Sequence, residues 1–245
     1  MPVDARAKPE AIPESELPPV ATPRTYLPFT ARALWANLPM VILGGVALAL
    51  LCTPAYLLIA SGLFVPGILL ALLTLLPGWM AVMAQAIALI REQPAGPGVL
   101  LRALGRFYTR GLLLGLLFCL PLAPSAVAVQ LLGSAAPPGW VTPSLFANGS
   151  ILAIMIAVSF YAVPLLVGHD QTLRQALRNG VLLAGRFAGN TVGLLAMGIL
   201  LALATRYLST GLVFFLPAIW AFFIASNALM AVREGLAQDR SDQSA

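Results

Sequence analysis

The sequence predicts an all-α polytopic membrane bundle: about six transmembrane helices arranged as three hairpins, with short amphipathic helices on the cytoplasmic side. Three observations predict it. First, the 245 residues are 60% hydrophobic and only 9% charged, with a mean hydropathy of +0.91, whereas soluble domains are about 45–50% apolar and roughly 25% charged. Second, three long blocks, 38–90, 111–168 and 187–232, are almost free of charge. Third, thirteen of the fourteen basic residues are arginines scattered singly between apolar stretches. That pattern reflects membrane topology and not nucleic-acid binding, despite a net charge of +5.

Ahead of the first block, Pro2, Pro9, Pro13, Pro18, Pro19, Pro23 and Pro28 deny the polar leading segment a regular helix. Residues 1–31 are therefore expected to form a disordered cytoplasmic tail, residues 32–234 the membrane domain and residues 235–245 a cytoplasmic C-terminal tail. Met1 to Thr30 has no apolar core of the kind a cleaved signal peptide needs.

The first block would measure about 80 Å as one helix, against a hydrocarbon layer of about 30 Å, so it must cross twice. Ser61-Gly62 marks the turn, giving spans Leu38 to Ala60 and Leu63 to Ile90, the second bent at Pro66 and Pro77. The second block divides at Pro137-Pro138-Gly139, with Trp140 at a headgroup boundary, into spans Gly111 to Gly133 and Leu145 to Gly168. The third divides around Arg206 to Gly211, giving Ala188 to Leu208 and Leu212 to Val232.

Six crossings return the chain to its starting side, and the basic residues test this independently. Arg6, Lys8, Arg24 and Arg32, then Arg91, Arg102, Arg106, Arg110, Arg174, Arg178 and Arg186, then Arg233 and Arg240 all fall on one face. The positive-inside rule assigns that face to the cytoplasm. Arg206 alone falls outside, beside Tyr207, where it can snorkel to water or contact an anion.

The stretch "GHDQTLRQALRN", residues 168–179, holds the one histidine of the chain. His169 and Asp170 lie where the fourth span emerges, and Thr172 with Gln175 has capping-box spacing that restarts a helix carrying Arg174 and Arg178 on one face. Without a nearby nucleophile, second histidine or metal ligand set, it reads as a solvated helix start and not as an active site.

Segments beginning near Thr30, Val99 and Thr172 each place a basic amphipathic stretch before an apolar run, consistent with three hairpins that share a lead-in helix. In the second, Arg102, Arg106 and Arg110 recur every fourth residue opposite Leu100, Ala103, Leu104 and Phe107. Such a helix can lie along the boundary with its arginines among anionic headgroups, or offer them to a partner protein.

None of the nine acids falls inside a span, which argues against proton relays and ion-coupled pumps. Cys52 and Cys119 lie in apolar runs without metal-ligand spacing, and there is no GxxxxGK[ST], GxSxG or CxxC motif. No cofactor, metal or catalytic residue is expected, nor a nucleic-acid partner. Polar residues within the spans include Gln85, Gln130, Ser159, Asn190, Thr191, Thr205, Ser226 and Asn227. They serve helix packing by default, or Gln85, Gln130, Asn190 and Asn227 line a solute path. Gly185, Gly189 and Gly193, like Gly111 and Gly115, have the spacing of close helix contacts. Asn148-Gly149-Ser150 fits a glycosylation sequon but falls at the start of a span.

From Trp35 and Asn37, through the basic connection before the third span, to Pro164-Leu165-Leu166 followed by Leu173-Arg174, Leu177 and Asn179, the chain resembles the YesL-like family of bacterial membrane proteins. The resemblance covers most of residues 32–234. It implies a non-enzymatic inner-membrane protein associated with a carbohydrate uptake system and carries no catalytic residues. The expected partners are the bilayer and a transporter complex or further copies of the chain; a facilitator for a small neutral solute is the alternative.

Overall fold

Where the chain turns back on itself, the backbone shows why. Gly62 adopts φ +86°, a left-handed conformation open to glycine at little cost, and reverses the chain between the first two crossings at the expected place. The computed structural model describes residues 26–133 and 138–243. The expected tail up to residue 25, and Pro137 of the second turn, lie outside them.

Eight α-helices follow one another: α1 (Tyr26–Ala36), α2 (Leu38–Ala60), α3 (Phe64–Ile90), α4 (Pro97–Leu132), α5 (Val141–Gly168), α6 (Leu173–Arg186), α7 (Ala188–Tyr207) and α8 (Leu216–Gln243). No strand occurs among the described residues. Six of the helices, all but α1 and α6, are long and apolar enough to cross a bilayer. The protein is an integral, multi-pass membrane helix bundle.

Helices α3, α5 and α8 form the centre, where Met80, Met83, Tyr161, Phe222 and Ile224 are fully enclosed. The second half of α3 is apolar around its circumference except at Gln85, as suits a helix surrounded by others. Gly111 and Gly115 let α4 close on α3 as their spacing predicts: a Cβ at Gly111 would lie 2.8 Å from the Cα and N of Pro77. At the edge, only 11% of the apolar stretch of α7 is buried, against 56% for α8. The first two hairpins therefore pack as pairs, whereas α7 leans on the bundle as a separate wall.

Several boundaries differ from expectation. Helix α1 begins at Tyr26, inside the expected tail, because Pro28 occupies its first turn, where a missing N–H costs nothing. The lead-in carrying Arg102, Arg106 and Arg110 is not a separate helix along the boundary. It runs unbroken into the third span, making α4 36 residues long, about 54 Å. By contrast α1 breaks from α2 at Asn37, because Pro39, in the first turn of α2, has no N–H to give the Trp35 carbonyl and its ring would clash with that carbonyl in a continuous helix. Helix α5 starts at Val141 and α8 at Leu216, the latter after a 3₁₀ turn over Thr210–Phe214. Helix α8 then continues to Gln243, through what was expected to be a tail.

Candidate functional site

One end of the bundle gathers the arginines, and there the backbone is strained. The only non-glycine residues with positive φ among those described are Glu92 (56°) and Asp170 (49°). They follow the C-termini of α3 and α5, at the same end of the bundle. Left-handed conformation disfavours L-residues, asparagine and aspartate least, and such outliers collect at functional sites.

The turn at Asp170 places its carboxylate against α4. Arg106 Nη2 donates to it at 3.0 Å and Arg110 Nη1 at 2.6 Å, one turn apart on the helix. These bonds, Arg110 first and then Arg106, hold the Asp170 carboxyl below the usual carboxylate range. Both guanidinium groups also lie near the ring of Phe107, at 5.3 and 5.8 Å.

Behind this ion pair lies a cleft of about 630 Å³ between α3, α4 and the end of α5. Arg91, Arg102, Arg106, His169 and Asp170 line it, over a floor that includes Phe107. Arg91 Nη1 donates to the Gly168 carbonyl at 3.4 Å, tying the ends of α3 and α5 together. Partial burial, and next the neighbouring Arg91 charge, push the His169 imidazole below its ordinary range. Burial and then the charge of Arg233 likewise lower Arg91. The cleft is thus an unusually cationic concavity at the level where the spans end.

The residues expected to matter divide accordingly. Arg106 and Arg110 hold an internal carboxylate, and Arg102 Nε donates to Gly98 O on its own helix at 3.1 Å. Arg174 and Arg178 stay exposed on α6, while Ala176 and Gly180 on the same helix are buried. The expected capping box forms: Gln175 N donates to Thr172 Oγ1 at 3.4 Å and Thr172 N to Gln175 Oε1 at 3.2 Å. The stretch around His169 is the exposed helix start expected, and Asp170 also pairs it at the surface with α4. A signal for this existed: Asp170 is the one acid between Glu92 and Glu234, and Arg106 with Arg110 offers a pair of guanidinium groups one turn apart.

Inside the bundle, polar groups join helix to helix. Asn190 Nδ2 donates to Asn227 Oδ1 at 2.9 Å, Asn227 Nδ2 to the Tyr161 hydroxyl at 3.1 Å, and that hydroxyl meets Thr191 Oγ1 at 3.2 Å. Gln85 Nε2 donates to Met40 O at 2.9 Å, in space left by Gly44. Thr30 and Ser226 share a bond of 2.7 Å, and the Tyr26 hydroxyl donates to Phe223 O at 3.0 Å. Gln130 is exposed near the opposite end of α4 and joins none of these. Among the described residues no buried side-chain nitrogen or oxygen lacks a partner. Tyr161 and Thr30 escaped the sequence reading because their hydroxyls sit within apolar or boundary stretches.

Away from the arginines, α7 closes an apolar cavity of about 470 Å³ against the other spans. Trp79, Phe160 and Trp220 pack there with ring centroids 5.7 and 5.4 Å from Trp220. The Ser159 and Thr205 hydroxyls on its wall bond their own helices, to Ile156 O and Leu201 O. Trp220 holds α7 by donating to Leu194 O at 3.2 Å, with Gly198 giving room for the indole. The expected packing row Gly185, Gly189 and Gly193 does not make such contacts: a Cβ at any of the three would meet nothing within 4 Å. The helix breaks at Phe187, so Gly185 belongs to α6 and Gly189 and Gly193 to α7; the three do not form a row on one helix, and all are exposed.

Among the described residues, no three His, Cys, Asp or Glu side chains come together to hold a metal. Comparison with protein-family models, with curated proteins and with solved structures finds no match to the chain.

Proposed function

We propose that the chain is a non-enzymatic accessory protein of the bacterial inner membrane, of YesL-like kind. Its arginine end faces the cytoplasm and docks onto a component of a carbohydrate uptake system. The observation that carries this reading is the build of the arginine end. About 54 Å of α4 exceeds the roughly 30 Å of hydrocarbon, so its N-terminal arm extends beyond the bilayer. Buried Leu100, Ala103 and Phe107 seat that arm on the bundle, Asp170 pairs with Arg106 and Arg110 at its surface, and α6, packed on α5, exposes Arg174 and Arg178. A rigid, basic, helical surface of this kind suits an acidic protein face.

A facilitator for a neutral solute has less support. Asn190 and Asn227 bond each other, Gln85 bonds α2, and Gln130 stands apart near the far end, so these groups do not make a continuous polar file.

Native pull-down in mild detergent tests the docking reading. A transporter component is expected to co-purify with the wild-type chain, and to be lost when Arg174 and Arg178 are both changed to Glu. Protein that stays alone at native expression levels, together with sugar uptake that survives deletion, would contradict it.

A further inference from the structure

The cleft at the arginine end has a chemistry that docking does not use. Three guanidinium groups, Arg91, Arg102 and Arg106, and the His169 imidazole face a cavity of about 630 Å³ in which Asp170 is the one acid. Asp170 bonds Arg106 and Arg110; neither Arg91 nor Arg102 has a carboxylate partner among the described residues. The cavity therefore carries an excess of positive charge. Its size lies in the range of small-molecule sites, about 300–1,000 Å³.

Planar guanidinium groups bind carboxylate and phosphate oxygens through paired N–H donors, and a phosphate monoester brings three oxygens and about −1.5 to −2 charges where a carboxylate brings two oxygens and one charge. The side chain of Asp170 is 53% exposed, so it can swing aside without opening the bundle. Its left-handed backbone marks the place as one where the fold tolerates strain.

We propose that this cleft binds a phosphate monoester, which displaces Asp170 from Arg106 and engages Arg91 and Arg102 as well. The group reaches it either from water, on a soluble ester, or from the adjoining leaflet, on a lipid headgroup at the depth where the spans end. Asp170 is then the internal stand-in that keeps the arginine fork ordered while the cleft is empty. Nothing in this depends on a protein partner.

The test uses the full chain in phosphatidylcholine nanodiscs at low ionic strength. One arm measures equilibrium binding of labelled orthophosphate; the other adds a minor fraction of phosphatidic acid and measures lipid retained on the protein by native mass spectrometry. Binding in the first arm identifies a soluble source, and selective retention of phosphatidic acid over phosphatidylcholine identifies a lipid one. In whichever arm binds, changing Arg91, Arg102 and Arg106 together to Gln is expected to weaken binding at least about tenfold. Asp170→Asn is expected to tighten it about two- to fivefold by removing the competing carboxylate. A merely structural ion pair would instead make Asp170→Asn neutral or weakening. Absence of binding in both arms, or failure of Asp170→Asn to tighten it, overturns the proposal. Should the triple variant aggregate on size exclusion, the two arms with wild-type protein and Asp170→Asn decide alone.

Discussion

Replacing Gly111 by valine is expected to destabilise the protein by about 3 kcal/mol or more, the upper part of the range for overpacking. The new Cβ would lie 2.8 Å from the Cα and N of Pro77, both backbone atoms that no rotamer change can move. Helix α4 must then lift from α3, and the cleft between them loses its shape. Gly105→Val, six residues earlier on the same helix, meets open space and is expected to change stability by less than about 1 kcal/mol. Denaturation in increasing SDS, followed by circular dichroism, checks the pair. Equal midpoints for the two variants would show that α3 and α4 do not approach as described.

Asn227→Leu should cost about 1–3 kcal/mol. Asn227 is 1% exposed and both accepts from Asn190 and donates to Tyr161. Interhelical hydrogen bonds in bilayers contribute about 0.6–2 kcal/mol each, and the loss leaves former partners unpaired. Asn190→Leu removes one of those bonds at an exposed position and is expected to cost less than about 1 kcal/mol. The same SDS titration separates them. Were Asn190→Leu the more damaging, the polar chain would have its anchor on α7 and not in the core.

These two sites show what the sequence could and could not disclose. Hydropathy and punctuation located every crossing, because a bilayer forces apolar length into units of about 20 residues and because Gly62 turns the chain where Ser61-Gly62 interrupts it. The capping box at Thr172 and Gln175 was equally legible, being local chemistry. What depends on how helices face one another was not. Gly111 with Gly115 and the Gly185, Gly189 and Gly193 row have the same spacing, yet Gly111 meets Pro77 and the row meets nothing; the helix breaks at Phe187, between Gly185 and Gly189, and Gly189 and Gly193 turn outward on α7. Proline content alone argues against a helix at Pro28, although its place in the first turn makes it harmless. The bond from Asp170 to Arg106 and Arg110 spans 64 and 60 residues, so no local pattern carried it beyond the rarity of acids.

The most direct test of the whole account is topological. With Cys52 and Cys119 replaced by alanine, single cysteines at Gly105 and Gly139 would report on the two ends of α4 and its following turn, at positions where a side chain meets open space. A membrane-impermeant maleimide applied to intact cells should label Gly139→Cys at once and Gly105→Cys only after permeabilisation. Labelling of Gly105→Cys from outside, or identical behaviour at both positions, would contradict a bundle whose arginine end faces the cytoplasm.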